Sequence, residues 1–328
     1  MADVGREAGV STQTVSRVST GRTNVDAETR ERVIAAMQKL GYRPNSAARA
    51  LRSGQFRNIG VIMFTLSSFG NMRTLDSIAV AAAAAGYSIT LIPVQHPTQG
   101  EVSVAFTRLS EQAVDGVIII IEAHLLDEAD IELPPGLPVV VVDSSARYDY
   151  PMVDTDQAEG ARLATEHLLE LGHHTVWHIS GPAGSYSAER RREAYTATLE
   201  KAGRPVPPVI EGDWSADSGY QAGLELGANP EVTAVFAAND QMALGFMRAL
   251  HEQSRAIPAE VSVVGFDDMQ ESSSFWPPLT TIHQNFEEVG RQSVTDLVDE
   301  IESRSSGSRS VLVPTSLVIR SSTGPAPQ

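Results

Sequence analysis

Residues 232–250 read VTAVFAANDQMALGFMRAL, and the first half of that stretch decides the fold. Ala234–Ala237 is a short, continuous apolar run, and the polar pair Asn239-Asp240 stands just beyond it. A strand that is apolar on both faces belongs inside a parallel sheet covered by helices. Similar runs stand at Ile59–Phe64, Tyr87–Val94, Gly116–Ile121, Pro138–Val142, Thr175–Ile179 and Val261–Gly265. Ala-rich or amphipathic stretches such as Leu75–Ala85 and Gly160–Leu171 lie between them. Strands alternating with helices predict the α/β class with parallel sheets. Ligands of such sheets bind beyond the carboxyl ends of the strands. Asp143 follows VVVV, Asn239-Asp240 follow VFAA, and Asp267-Asp268 follow VVGF, so all stand in that place. Asp and Asn also cap helices and form turns, and position alone leaves both roles open.

The first 57 residues follow another pattern. Asp3 to Ala8 is short and polar, Gly9-Val10 suits a tight turn, and Ser11 and Thr12 are N-cap types ahead of QTVSRV. Thr20 to Asn24 reads as a loop, and Asp26 can cap a helix from Ala27 to Leu40. Gly41 and Pro44 stop that helix, and Asn45 to Ser53 can form a further short one. Two helices joined by a short turn, the second rich in short polar side chains, make a helix-turn-helix candidate. Gln13 can pair with a base edge, Ser11, Thr14 and Ser16 can reach phosphates or bases, and Arg17 can bind guanine or phosphate. An ordinary helical hairpin with a solvated face fits the same pattern.

Charge separates the two regions. The 328-residue chain has a net charge of −16, yet residues 1–57 hold ten Arg or Lys against five Asp or Glu. The remainder holds 15 against 36. A basic head on an acidic body is a footprint of polyanion binding by the head. The absence of cysteine excludes disulfides, thiolate metal sites and a cysteine nucleophile. No apolar run reaches the ~18 residues of a membrane helix. The start, MADVGREAG, has no signal-peptide core. A cytoplasmic protein of two domains or a little more, with no membrane partner, is expected at ~150 residues per domain. The polar tail SSTGPAPQ reads as frayed.

AGVSTQTVSRV, followed by TRERVIAAMQKLGYRPNSAARALRSG, resembles the head of LacI-family transcriptional regulators. HLLELGHHTVWHISGP, EGDWSADSGYQAG, VFAANDQMALGFMRAL and VSVVGFDDMQESSSFWPPLTTIHQNF extend the resemblance through almost the whole chain. It implies an all-α helix-turn-helix head (residues 1–44), a hinge helix (45–57) and a two-lobed, periplasmic-binding-protein-like body of type I (58–328). Lobe 1 is expected at about 58–155 and 285–313, and lobe 2 at about 156–284 and 314–328. Thr12, Gln13 and Arg17 match base-reading positions, and Ser11, Ser16 and Asn24 match backbone or flanking contacts on double-stranded operator DNA. Asn45 and Ala48 match hinge-helix positions that meet DNA, and Leu51 matches a minor-groove wedge. Asp143, Ser187, Arg191, Trp214, Asn239, Asp267, Gln284 and Phe286 match the pocket for a small sugar effector. Arg191, Asn239 and Asp267 suit vicinal hydroxyls, and Trp214 and Phe286 suit the apolar face of a pyranose. The resemblance implies a homodimeric repressor with no cofactor and no enzyme activity, released from its operator by the sugar or, in the family's less common corepressor mode, held on it.

The sequence departs from the family pattern in places. Phe64, Ser68, Gly70 and Asn71 replace residues of the apolar pocket side, and Ile120 replaces an asparagine. The polar clamp is kept while that wall differs, so a galactoside is the first expectation and a glucoside a close second. Only Met1-Ala2 precede Asp3, and Gly5 replaces the usual alanine, so a start upstream of Met1 is expected. No leucine heptads follow SLVIRSST, which predicts a dimer. Other classes fit less well. A sugar-binding protein needs no such head. A glycosidase needs two carboxyls flanking one bond, whereas adjacent Asp267 and Asp268 point apart. His167, His173, His174 and His178 lack zinc-site spacing, so no metal is expected.

Overall fold

The computed structural model describes residues 1–19, 24–42, 54–66, 68–94, 99–120, 136–142, 150–302 and 310–328. The chain forms two compact units, Met1–Phe56 and Arg57–Gln328. In the first, α1 (Ala2–Ala8), α2 (Thr12–Ser19) and α3 (Ala27–Lys39) share a core of Val4, Ala8, Val15, Val18, Val33 and Ala36. Ser11 Oγ accepts from the Thr14 N–H at 3.2 Å, and Asp26 Oδ1 accepts from the Thr29 N–H at 2.8 Å. Each cap satisfies a donor that the helix itself leaves orphaned. Gly5 is a close-approach position, because a Cβ there would stand 2.8 Å from the Val10 carbonyl oxygen. Asn45, Ala48 and Leu51, expected in the hinge helix, lie outside the described residues.

The second unit begins with β1 (Asn58–Met63), α4 (Phe69–Ala84), β2 (Ser88–Pro93), α5 (Gln99–Glu111), β3 (Gly116–Ile120), β4 (Val139–Val142) and β5 (Met152–Thr155). It continues with α6 (Gln157–Glu170), β6 (Trp177–Ser180), α7 (Tyr186–Lys201), β7 (Ile210–Glu211), α8 (Ala216–Gly227), β8 (Ala234–Ala237), α9 (Asp240–Glu252) and β9 (Ser262–Asp267). A 3-10 turn (Gln270–Ser274), β10 (Thr280–Gln284), α10 (Phe286–Ile301), β11 (Ser310–Val313) and β12 (Thr315–Val318) complete it. One sheet has the order β11-β5-β4-β3-β1-β2 and is parallel throughout. The other has the order β12-β10-β9-β8-β6-β7 and is parallel except at β12. The chain passes between the sheets after β5, after β10 and between β11 and β12. The central strands GVIII and VVVV are buried at every residue, as the absence of polar alternation requires.

Two expectations are corrected. The helix expected from Leu75 begins at Phe69, because Ser68 Oγ accepts from the Asn71 N–H at 3.2 Å and caps a turn of poor helix formers. The tail does not fray. Ser322 is buried, the Thr280 N–H donates to Ser322 Oγ at 2.7 Å, and Ala326 N–H donates to the Leu171 oxygen at 3.0 Å. Short hydroxyl side chains here replace strand pairing as partners for buried backbone.

α8 and α9 pack through a surface with no room for side chains. A Cβ at Gly245 would stand 1.7 Å from the Ala216 carbonyl oxygen. This contact sets the starts of the two helices, where Trp214 and Asn239 meet. Gly245→Ala is therefore expected to destabilise the protein by roughly 1–3 kcal/mol through overpacking. A denaturant melt checks it, and an unchanged midpoint contradicts it.

Three histidines of this half, His167, His173 and His178, serve as neutral structural groups. His173 bonds Thr233 Oγ1 at 3.0 Å and Ser262 Oγ at 3.1 Å, and His167 bonds Thr323 Oγ1 at 3.0 Å. His178 donates to the Phe236 oxygen at 2.8 Å and stacks on Phe236 and Tyr195. Desolvation holds His178 down to about 4 and lowers His167 and His173 as well. The unfolded chain takes up these protons near the ordinary value of 6.5 and the folded chain resists. Stability is thus full above that pH and falls as pH drops towards 4. His178→Phe keeps the ring stack and is expected to flatten part of that loss in calorimetric melts from pH 7 to 4. An unchanged slope contradicts it.

Candidate ligand pocket and DNA-reading helix

Carboxyl ends of strands from both sheets line one pocket of the body. Ile120, Val142 and Thr155 come from β3, β4 and β5, and Asp267 and Gln284 come from β9 and β10. Asn239 follows β8, while Ser68 to Asn71, Gln157 and Phe286 come from the starts of α4, α6 and α10. Of the positions singled out in the sequence, Ser187, Arg191, Trp214, Asn239, Asp267, Gln284 and Phe286 all line this pocket. Asp143 lies outside the described residues. Ser68, Gly70, Asn71 and Ile120 line it too, but Phe64 does not. Phe64 packs instead against the apolar cluster around Val102 and Phe106.

Arg191 is the buried cation of the pocket, 4% exposed on α7. Its Nε donates to Gln157 Oε1 at 2.8 Å, and Nη1 donates to the Ala238 carbonyl oxygen. Its guanidinium lies 3.7 Å from the Phe266 ring centroid and 5.5 Å from that of Trp214. Nη2 is 3.9 Å from Asp267 Oδ1, and Gln284 Nε2 donates to the same oxygen at 2.6 Å. Gln157 Nε2 donates to Gln284 Oε1 at 3.4 Å. Arg191, Gln157, Gln284 and Asp267 therefore form a closed polar ring. Removing its charges from water is expensive, and mutual pairing is what offsets that cost.

Two aromatic groups face this ring. Trp214 holds a left-handed backbone, φ 72°, and its indole lies where a Cβ on Gly181 would stand, 2.2 Å from the ring. A bulky residue persists there only if its surroundings over-determine it. Phe286 meets Phe69 edge-to-face, with centroids 6.1 Å apart. Asn239 fills both roles left open by its position. Its Oδ1 caps α9 by accepting from the Met242 N–H at 2.8 Å, and its Nδ2 donates to the Trp214 oxygen at 3.0 Å. Asp267 and Asp268 diverge, since Asp268 binds Arg320 at 2.5 Å and His283 at 3.1 Å. Gln157, Thr155, Thr74 and Phe69 belong to the pocket and were not singled out. Gln157 stands one residue past the first crossover, a place the strand-end rule would have marked had β5 been legible.

In the head, Val15 and Val18 of α2 are buried, whereas Ser11, Thr12 and Gln13 are exposed and Ser16 and Arg17 are half-buried. Asn24, before α3, is exposed. A short helix that offers Thr12 and Gln13 from its first turn has the chemistry for a major groove.

A helix-turn-helix unit together with a two-sheet binding body defines the class: a DNA-binding protein with a built-in ligand pocket. Residues 1–45 match the family described as bacterial regulatory proteins, lacI family, and residues 165–323 match the periplasmic binding protein-like domain. The lactose operon repressor of Escherichia coli (strain K12) is 36% identical over 327 residues, covering 98% of this chain and 89% of that protein. The HTH-type transcriptional repressor PurR of Haemophilus influenzae (strain PittEE) is 33% identical over 328 residues, covering 98% of this chain and 97% of that one. Among solved structures, the lac repressor dimer bound to operator and the anti-inducer ONPF has a TM-score of 0.87 at 36% identity, over 98% of each chain. A complex of the transcriptional regulator CelR with cellobiose has a TM-score of 0.72 at 30% identity, also over 98% of each chain. The chain belongs to the lacI family and is a DNA-binding transcriptional repressor of that family. These relatives are regulators and not enzymes. No helix among the described residues is long and apolar enough to cross a membrane.

Arg191→Ala leaves Asp267 buried without its cation. The expected loss is roughly 3–5 kcal/mol of stability, read as a lower melting temperature by calorimetry. A melting temperature equal to the parent's contradicts the ring.

Proposed function

We propose that the pocket binds a small sugar, a galactoside in the first place, and that this binding releases a dimer of the protein from its operator. The observation that carries the reading is the ring of Arg191, Gln157, Gln284 and Asp267 set against Trp214 and Phe286. Converging charged and amide groups suit vicinal hydroxyls, and aromatic faces suit the C–H side of a pyranose. On this reading Ser187 and Asn239 make further hydroxyl contacts, and Asp143 completes the polar wall. Residues 1–44 are the head, 45–57 the hinge and 58–328 the body, acting in the cytoplasm. Thr12, Gln13 and Arg17 read bases, Ser11, Ser16 and Asn24 hold the flanking backbone, Asn45 and Ala48 of the hinge meet DNA, and Leu51 enters the minor groove.

Release follows from linkage between two sites. The sugar favours one arrangement of the lobes, the operator favours the other, and each ligand weakens the other by typically 1–3 kcal/mol. A glucoside is the second reading. Ser68 and Asn71 add polar groups on the α4 side of the pocket, which suits a second sugar ring better than an apolar substituent. The related CelR was solved with cellobiose.

The test is anisotropy of labelled DNA from the protein's own upstream region, titrated with lactose, allolactose, galactose and cellobiose. Release by one of them is the expected result, and tight binding that none of them changes contradicts the sugar reading. In the same assay Gln13→Ala is expected to relax base preference by ~1–3 kcal/mol. Unchanged preference removes Gln13 from readout.

A further inference from the structure

Asp240 is buried completely, one residue past Asn239, yet it lines no part of the pocket. Its carboxylate accepts three hydrogen bonds, all from the connection between β9 and β10 or from β10 itself. Oδ2 accepts from the Met269 N–H at 2.9 Å and from Ser272 Oγ at 2.6 Å, and Oδ1 accepts from Thr281 Oγ1 at 2.5 Å. Gly265 on β9 leaves the space, since a Cβ there would stand 2.2 Å from Oδ1. The connection so held is strained. Asp267 and Asp268 both have positive φ, 110° and 53°. Adjacent non-glycine residues of this kind persist only when their surroundings hold them. Asp267 is the carboxylate that enters the pocket, and Gln284, its partner, ends the strand that carries Thr281.

We infer that Asp240 is a positioning residue for the effector: its carboxylate latches the strained Asp267-Asp268 turn and so holds the Asp267 carboxylate in the pocket. The inference rests on the sugar-pocket reading above. Asp240 touches no ligand and acts through the turn. Desolvation pushes its acid up to about 6, outweighing the three hydrogen bonds that stabilise the carboxylate, and the negative charge of Asp268 adds to the rise. Of the other ionisable groups around the turn, Arg320 and His283 are bound to the Asp268 carboxylate and Glu271 is exposed, while Ser272 and Thr281 are neutral. The latch is ionised above that pH and gains a proton as pH falls through it, losing an acceptor. Effector affinity should therefore fall on acidification.

The experiment follows Trp fluorescence on titration with lactose and with cellobiose at pH 7.5 and 5.5. It compares the full-length parent, Asp240→Asn and His283→Gln. Asp240→Asn is expected to bind the sugar about ten-fold more weakly at pH 7.5, the size of one charge-assisted hydrogen bond. Its affinity should be the same at both pH values, and its sugar-free affinity for operator should match the parent's. The parent and His283→Gln should both lose affinity at pH 5.5. Parental affinity in Asp240→Asn, or a pH response abolished by His283→Gln, overturns the inference. If Asp240→Asn does not fold, the parent and His283→Gln profiles decide alone: a fall in both supports the latch, and a flat parent or a flat His283→Gln overturns it. If the parent binds neither sugar, the sugar-pocket reading has failed. Amide exchange of residues 266–272 without ligand then decides the latch. Faster exchange there in Asp240→Asn, or in the parent at pH 5.5 after correction for intrinsic rates, supports it, and unchanged protection overturns it.

Discussion

A guanidinium with almost no access to water must be surrounded by acceptors and π-faces, and Arg191 organises the pocket through that demand. Each of its partners comes from a different part of the chain: Gln157 from the start of α6, Ala238 from the end of β8, Phe266 and Asp267 from β9, and Trp214 from the turn before α8. None of these segments could shift far without leaving a buried charge unpaired. The tight α8–α9 contact at Gly245 and the Asn239–Trp214 hydrogen bond serve the same end. They fix the aromatic wall relative to the cation.

The ring also stands where the chain changes sheets. Gln157 follows the first crossover and Gln284 precedes the second. At the third, Thr315 Oγ1 donates to the Asp156 carbonyl oxygen at 3.3 Å, and the Asp156 N–H donates to the Val313 oxygen at 2.8 Å. The proposed release has its physical basis here. On that proposal, a sugar whose hydroxyls compete for Arg191, Asp267 and Gln284 would alter hydrogen bonds at the segments where the chain crosses between the lobes. Packed interfaces tend to be bistable, so a small change in such contacts selects between arrangements rather than bending one continuously.

Much of this was legible in the sequence, and the gaps have physical causes. Strands β1, β3, β4, β8 and β9 announce themselves because both faces are covered and every residue can be apolar. β5 and β10 do not. They carry Asp154, Thr155, Thr280 and Thr281, buried polar residues, and the partners of Thr280 and Thr281 are distant in sequence. The first turn of α4 is hidden by Gly70 and Asn71, which propensity places in a loop. The tail looks disordered because its Ser and Thr find partners only in the folded body. For the pocket, strand-end position marked Asn239 and Asp267 as candidates. Arg191 and Trp214 lie within a helix and a loop, and only family resemblance singled them out. Gln157 escaped both routes because its strand was invisible and its role is to hold Arg191.

On the proposed reading the pocket and the operator compete through two arrangements of one body. Reciprocity tests it most directly. Sugar affinity would be measured by Trp fluorescence with and without saturating operator, beside operator affinity with and without saturating sugar. The operator is expected to weaken sugar binding by the same factor by which the sugar weakens operator binding. A sugar that binds equally well to free and operator-bound protein would contradict it.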